Sequence, residues 1–231
     1  MRPGYGDKPD GYYANVSPLV VELLAPPPGA RILDVGCADG ALGRFVKSED
    51  PEAFVAGVEA HGPAAARARA ALDEVWAADF EAWEPPPHYA GYFDCIVFGD
   101  VLEHLIDPQG ALRKAVRLLR SDGSIVASIP NVRWLPIIRD LLLRGQWTYR
   151  SEGVLDQTHL RFFTRSSMLA LFERCGLEIE VCLPGISAQW GAVGALLRLL
   201  ARRSITCEEL CAIQYVVKAR VSPTSDPDAG E

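Results

Sequence analysis

The sequence predicts an α/β fold, a mostly parallel sheet with helices on both faces. Short and almost wholly apolar runs recur near 31–35, 53–59, 75–78, 92–100 and 124–129, as expected of strands buried on both faces. Stretches of helical period separate them, as β-α-β connections require. The first run, Arg31 to Val35, stops at Gly36 in a glycine loop, Gly36-Cys37-Ala38-Asp39-Gly40, that leads into a helix at Ala41. A strand, a glycine turn and a helix N-terminus together make a site for an anionic or strongly polar ligand. With 231 residues and 49% hydrophobic side chains, the chain can bury one full core, and a single domain over 1–221 is expected.

Taken in order, residues 1–11 are rich in Gly, Pro and charge and read as a mobile arm. Asn15-Val16-Ser17-Pro18 starts a helix carrying Leu19, Val20, Leu23 and Leu24, which Pro26-Pro27-Pro28 ends; the arm and this helix fill 1–29. A core of 30–131 follows. Its second strand, Ala53 to Glu59, ends in a carboxylate placed to accept hydrogen bonds from both hydroxyls of an adenosine ribose. Pro63 to Leu72 reads as a helix, Val75 to Ala78 as the third strand with Asp79 and Phe80 after it, and the proline-rich stretch 81–91 as a loop. Tyr92 to Asp100 is the fourth strand. Asp107 can cap a helix with Pro108 in its first turn, Ser121-Asp122-Gly123 reads as a turn, and Ser124 to Ile129 as the fifth strand. A helix within Val132 to Gly145 opens a segment, 132–165, expected to lie over the site. In 166–221, Thr164 caps a helix running to Cys175 and Gly176 closes it, Leu177 to Leu183 is a strand, Val193 to Arg203 a helix, and Cys211 to Val221 the last strand. Residues 222–231 are expected to be disordered.

A formal net charge of -7 argues against a protein that coats nucleic acid or an anionic membrane surface, and a small-molecule partner is expected instead. No stretch has the length of apolar sequence a membrane span needs, and the N-terminus lacks an apolar signal core, so a cytoplasmic protein is expected. The six cysteines form no C-x-x-C pair and read as small buried hydrophobes; Cys207 and Cys211, one helical turn apart, have no histidine nearby for a metal.

The glycine loop alone admits two readings. From Ala38 it runs A-x-G-x-x-G through Gly40 and Gly43, one glycine short of a dinucleotide fingerprint. From Asp34 it resembles the D-x-G-x-G-x-G signature of class I S-adenosylmethionine-dependent methyltransferases, with Ala38 replacing the middle glycine. The stretches downstream favour the second. Asp79-Phe80 matches that family's acid and ring-packing residue after the third strand. FDCIVFGDVLEHLIDP, residues 93–108, resembles the motif of its branch of small-molecule O-methyltransferases of quinone and natural-product pathways. LDQTHLRFFT, 155–164, resembles methyltransferases of glycan and glycosylated natural-product assembly.

The resemblance implies a Rossmann-like class I methyltransferase fold, a seven-stranded sheet of order 3-2-1-4-5-7-6 with the last strand antiparallel and a helical lid inserted. It implies S-adenosyl-L-methionine as cofactor, held by Tyr13, Asp34, Gly36, Cys37, Ala38, Gly40, Glu59, Ala60, Asp79, Phe80, Gly99, Asp100 and Val101. An alanine at 38 is compatible with the loop if its φ stays negative. The reaction expected is methyl transfer to a hydroxyl of a sugar or glycosylated precursor. N- or C-methylation and non-catalytic cofactor binding remain alternatives, and a nicotinamide oxidoreductase is disfavoured by Asp79-Phe80 and by the lack of a Tyr-x-x-x-Lys pair.

A hydroxyl is a weak acid, so a base within hydrogen-bond reach must take its proton. His104, past the end of the fourth strand, and His159 are the candidates; His61 and His88 read as solvated turn residues. Asp156, three residues before His159, has the spacing to hold that imidazole. No metal is expected, because Asp100, Glu103 and His104 lack a further ligand. The acceptor is assigned to Glu103, Trp134, Tyr149 and Arg161. Between Val132 and Arg165 six arginines (133, 139, 144, 150, 161, 165) face three acids, so this segment is net +3 in an acidic chain and an anionic or glycosylated acceptor is expected. Beyond that acceptor, the partner allowed for is a second copy of the chain in a homodimer.

Overall fold

The computed structural model describes residues 16–186 and 204–222. Tyr12, Tyr13, the N-terminal arm, the helix expected over 193–203 and all but Ser222 of the expected tail lie outside the described residues.

The chain order is α1 (Pro18–Leu24), β1 (Arg31–Val35), α2 (Ala41–Glu49), β2 (Phe54–Glu59), α3 (Gly62–Ala68), β3 (Glu74–Ala77), β4 (Phe93–Gly99), α4 (Pro108–Leu118), β5 (Leu119–Pro130), α5 (Leu135–Arg144), α6 (Arg165–Glu173), β6 (Leu177–Ile186), α7 (Ile205–Cys211) and β7 (Ala212–Val221). The strands form one seven-stranded sheet of order β3-β2-β1-β4-β5-β7-β6. β1 to β5 are mutually parallel, and β7 runs antiparallel to both β5 and β6. This is the expected Rossmann-like class I methyltransferase arrangement, and it follows from the strand composition. Ile32, Leu33, Val55, Ala56, Ile96, Ile125 and Val126 have no exposed surface, so helices must cover both faces.

Two apolar clusters result. One lies between the sheet and α4 and α6, around Phe93, Phe98, Leu112, Phe172 and Tyr215; the other packs α1 and α2 onto β1 and β2 through Leu24, Val46 and Val55. A third, smaller cluster of Ile137, Val154 and Leu155, with Trp134, Trp147 and Phe162 against it, gives the 132–163 segment a core of its own.

Several boundaries differ from the sequence reading. β5 begins at Leu119, because Leu119 pairs with Phe93 before the register resumes at Cys95 and Ser124. Ser121-Asp122-Gly123 is therefore a bulge inside the strand rather than a turn before it, with Arg120 bridging Asp94 and Asp122. α3 stops at Ala68, four residues before Leu72. α7 was not expected: its seven residues carry no side-chain cap and no long apolar period. Both predicted caps are present. Asp107 Oδ1 accepts from Gly110 N at 2.9 Å, and Thr164 forms a reciprocal capping box with Ser167.

Candidate active site

A cavity of about 1700 Å³ opens at the C-terminal ends of β1, β2, β4 and β5 and extends under α5 and the 146–155 segment. In open α/β sheets this edge is where ligands bind, because the helix N-termini and loop amides converge there. The site has two halves.

The first half is built on the glycine loop. Gly36 has φ +73°, and a Cβ there would lie 2.5 Å from Val101 Cγ2, so only glycine lets the loop after β1 pass the loop after β4. Gly36 N and Cys37 N both donate to Val58 O, at 2.7 and 3.3 Å, which ties the loop to β2. Ala38 sits at φ +50°, contrary to the negative φ expected of it. A left-handed alanine costs about 1–2 kcal/mol. The local interaction that offsets this is the Glu59 carboxylate, whose Oε2 accepts from Ala38 N at 2.9 Å while Oε1 accepts from His61 N at 2.7 Å. Glu59 is 4% exposed, and each of its oxygens keeps a further lone pair. Beside it, burial and then the Glu59 charge push Asp34 up to about 8. Burial likewise raises the Cys37 thiol, which behaves as a buried apolar group.

Asp79 Oδ1 accepts from Glu81 N at 3.0 Å, and Phe80 packs edge-on to Phe98. Lys114 on α4, a residue the sequence reading passed over, fastens this loop. Its ammonium donates to the carbonyls of Phe80 and Trp83 at 2.8 Å and of Glu81 at 3.0 Å. A lysine 31 to 34 residues away in sequence carries no local signal of such a role.

The second half lies past β4. Asp100 has φ +53°, a strained value for a non-glycine residue. Ser128 on β5 fixes it, accepting from Asp100 N at 2.9 Å and donating to Asp100 Oδ1 at 2.8 Å. The helical turn Leu102–His104 then buries Glu103 and His104. Glu103 is 1% exposed and, among the described residues, neither carboxylate oxygen has a hydrogen-bond partner; His159 Nε2 stands 3.9 Å from Oε1. Burial, and then the charges of Asp100 and Asp156, hold its carboxyl well above the usual range. The His104 and His159 rings meet edge-to-face with centroids 4.7 Å apart. Glu103, His104 and His159 each place one ligand atom within 4.8 Å of the others, a span able to enclose a small cation or surround one acceptor oxygen. What brings His159 here is backbone: Leu160 N and Arg161 N both donate to Glu103 O, at 2.8 and 2.9 Å.

Of the expected cofactor residues, Asp34, Gly36, Cys37, Ala38, Glu59, Ala60, Asp79, Phe80, Gly99, Asp100 and Val101 line the cavity. Gly40 does not; it is the left-handed residue preceding α2 and shapes the turn. Tyr13 lies outside the described residues. Among the expected acceptor residues, Glu103 and Trp134 line the cavity, and the buried Trp134 Nε1 has no hydrogen-bond partner among the described residues. Tyr149 and Arg161 do not line it: Tyr149 is 53% exposed, and the Arg161 guanidinium donates to Ile106 O. Asp156 does not line it either. Its Oδ1 accepts from Thr158 N and Oγ1, at 2.8 and 2.7 Å, and Thr158 Oγ1 lies 3.2 Å from His104 Nδ1, so Thr158 links Asp156 to His104 in place of the expected clasp of His159; His159 Nδ1 is bonded to Val154 O at 3.0 Å. His61, read as a solvated turn, lines the cavity just past Glu59.

The family model described as a methyltransferase domain matches residues 12–181. The chain belongs to the methyltransferase domain family. The chain is 31% identical over 178 residues to a ubiquinone biosynthesis O-methyltransferase of Thiobacillus denitrificans, covering 69% of each chain. It is 32% identical over 111 residues to the enzyme of that name from Neisseria meningitidis serogroup A, covering 45% of each. The chain spans only about a third to a half of the length of several curated relatives it matches. Among solved structures, an S-adenosylmethionine-dependent methyltransferase from Mesorhizobium loti superposes with a TM-score of 0.61 at 21% identity, over 88% of this chain and 96% of that one. The [4+2]-cyclase SpnF superposes with a TM-score of 0.60 at 18% identity, over 88% and 78%. Likeness at this level shows the fold and leaves the reaction to the site.

The first half of the cavity has a donor set that suits S-adenosyl-L-methionine, the cofactor named for the Mesorhizobium loti protein. Glu59 and Asp79 are acceptor groups on adjacent strand ends, suited to ribose hydroxyls and to an adenine amine, and Phe80 and Val101 supply apolar walls. No described helix is long and apolar enough to cross a membrane.

Proposed function

We propose that the chain methylates a hydroxyl of a small, anionic or glycosylated acceptor, with Glu103, His104 and His159 receiving the hydroxyl's proton. The observation that carries this reading is the buried Glu103–His104–His159 cluster in the same cavity as the cofactor half, entered past β4. The cofactor, when bound, supplies an electrophilic methyl group. The chain's own residues do the rest: they align the acceptor, exclude water and take up a proton as the new bond forms. Methyl transfer to a nitrogen that is already a free base would need no such cluster, so O-methylation is favoured over N-methylation. The O-methyltransferase names of the relatives support the same choice.

The acceptor half is framed by Trp134, whose buried indole N–H lacks a partner among the described residues, and by Arg139, Arg144 and Arg150. Not all six arginines serve it. Arg133 pairs with Glu209, Arg139 and Arg144 share Asp140, and Arg165 lies over Tyr215. Arg150 makes no ion pair among the described residues and is the strongest candidate for an acceptor anion. A cytoplasmic enzyme acting on a soluble acceptor, without nucleic acid or membrane, alone or as a homodimer, fits this reading.

A second reading of the cluster has the unpartnered Glu103 oxygens and the two imidazoles hold a divalent cation that binds the acceptor oxygen. Calorimetry with Mn²⁺ separates the two, since proton transfer by the histidines needs no cation site. The reading as a whole is tested by incubating the protein with S-adenosyl-L-methionine and a panel of hydroxylated acids and glycosides. Mass spectrometry should show a gain of one CH₂ at an oxygen; methylation confined to nitrogen or carbon would overturn it.

A further inference from the structure

A histidine can act on an acceptor oxygen only if the correct nitrogen carries the lone pair, and the structure fixes this for His104 through a residue outside the cavity lining. We propose that Thr158 is a positioning residue: it links the Asp156 carboxylate to His104 and holds that imidazole as the Nδ1–H tautomer. The inference rests on the proposed role of His104 and names what sets it.

The argument follows from which groups can donate. His104 Nδ1 lies 3.1 Å from Thr158 O, and a backbone carbonyl only accepts, so Nδ1 carries the hydrogen. Thr158 Oγ1 lies 2.7 Å from Asp156 Oδ1; a carboxylate oxygen accepts, so the hydroxyl hydrogen is directed there. The lone pairs of Oγ1 are then left for His104 Nδ1–H at 3.2 Å. The chain of donors runs from imidazole to hydroxyl to carboxylate, and every link has a defined direction. Neutral His104 keeps its lone pair on Nε2, on the ring edge away from Thr158. As His104 accepts a proton, the Asp156 charge acts on it through one polarised hydroxyl.

Local sequence explains the first link and tertiary structure the second. Asp156 and Thr158 are two apart, the spacing at which an aspartate side chain accepts from the backbone N–H two residues on, here at 2.8 Å. The paired bonds from Leu160 N and Arg161 N to Glu103 O hold this turn against Leu102–His104. Asp156 is 1% exposed, and a carboxylate so buried is costly unless it is hydrogen-bonded. Charged or titratable groups around His104 are Asp100 and Glu103 from the β4 side and Asp156 and His159 from the facing segment, so tautomer rather than charge is the cleaner readout.

The test is ¹⁵N NMR of the histidine imidazoles in the free, full-length protein, comparing wild type with Thr158→Val and Thr158→Ser. Valine keeps the side-chain volume, the Thr158 N bond to Asp156 and the carbonyl bond to His104, and removes only the hydroxyl link. Wild type and Thr158→Ser should show His104 protonated at Nδ1; in Thr158→Val the carbonyl that remains keeps Nδ1–H as the major form, and loss of the second acceptor should add a resolvable Nε2–H fraction. With an identified acceptor, Thr158→Val should lower kcat about 10-fold with unchanged cofactor Kd, and serine should restore it. A Thr158→Val spectrum identical to wild type, or a serine variant as impaired as valine, would overturn the proposal. Should valine prevent folding, the Thr158→Ala and Thr158→Ser pair isolates the hydroxyl, and equal spectra for the two would count against it. Failure to methylate any oxygen acceptor would defeat the hydroxyl-methylation reading and leave the tautomer result standing.

Discussion

Replacing Glu59 by glutamine should weaken two properties at once, because its carboxylate serves the loop as well as the cofactor. Both Glu59 oxygens accept backbone N–H groups, from Ala38 at 2.9 Å and His61 at 2.7 Å. An amide offers one acceptor and one donor, so one of these N–H groups must face an NH₂. Losing a hydrogen bond to a charged partner costs ~1.5–3 kcal/mol, and for a chain of this size that lowers Tm by roughly 3–12 °C. Release of the strain at Ala38, φ +50°, worth about 1–2 kcal/mol, offsets part of this loss as the loop relaxes, so the fall in Tm should sit toward the lower end of that range. Cofactor affinity should fall by a factor of about 10 or more, since the same oxygens have lone pairs for the ribose. Denaturant unfolding of the cofactor-free Glu59→Gln protein, beside calorimetry with S-adenosyl-L-methionine, separates the two effects. Weakened binding with unchanged cofactor-free stability would refute the claim that Glu59 holds the loop, and unchanged binding would refute the ribose assignment.

Asp34 should make the protein less stable as pH rises. Its folded pKa near 8 exceeds the unfolded value near ~3.9, so between those limits the folded state binds more protons and stability declines by up to ~1.4 kcal/mol per pH unit from this group. Asp34→Asn should flatten the stability profile between about pH 5 and pH 8, and an unaltered slope in that variant would contradict the assignment. Gly36→Ala combines a left-handed alanine with a methyl 2.5 Å from Val101 Cγ2, a loss of roughly 2–5 kcal/mol in denaturant unfolding, of which Val101→Ala should recover the steric part. A loss below about 1 kcal/mol would mean that the loop relaxes freely. Raising ionic strength should increase the acceptor KM more than the cofactor KM if Arg150 receives an anion, and Arg150→Gln should reduce that salt dependence; a flat acceptor KM removes the idea.

The sheet and the cofactor half were legible in the sequence because each depends on short-range rules. Apolar runs buried on both faces give strands, Gly36 marks a forced left-handed turn, and carboxylates at 59 and 79 end consecutive strands. The acceptor half was legible only as a list of residue types. His104 and His159 are 55 positions apart, and the contact that joins them, two N–H groups of 160–161 on Glu103 O, leaves no periodic trace. The Asp156 to His159 spacing suggested a direct pair, but an aspartate bonds its own turn more readily than a side chain three residues on, and Thr158 takes the carboxylate. Arg161 and Arg133 look identical to Arg150 in sequence; only in the fold is the first spent on Ile106 O and the second on Glu209. Ala38 and Asp100 were not foreseen at positive φ, since their strain is held by Glu59 and Ser128 from other strands.

The most direct test of the central claim, that one cavity joins a cofactor half to a proton-accepting half, is kcat and cofactor Kd measured together for His104→Ala and His159→Ala. The acceptor is one found by the mass-spectrometric screen. Removal of a general base should lower kcat by about 10²–10⁴-fold while S-adenosyl-L-methionine affinity stays within a factor of about 2, because Glu59, Asp79 and the glycine loop are untouched. If both variants turn over at the wild-type rate, the cluster takes no proton and the account of the second half is wrong.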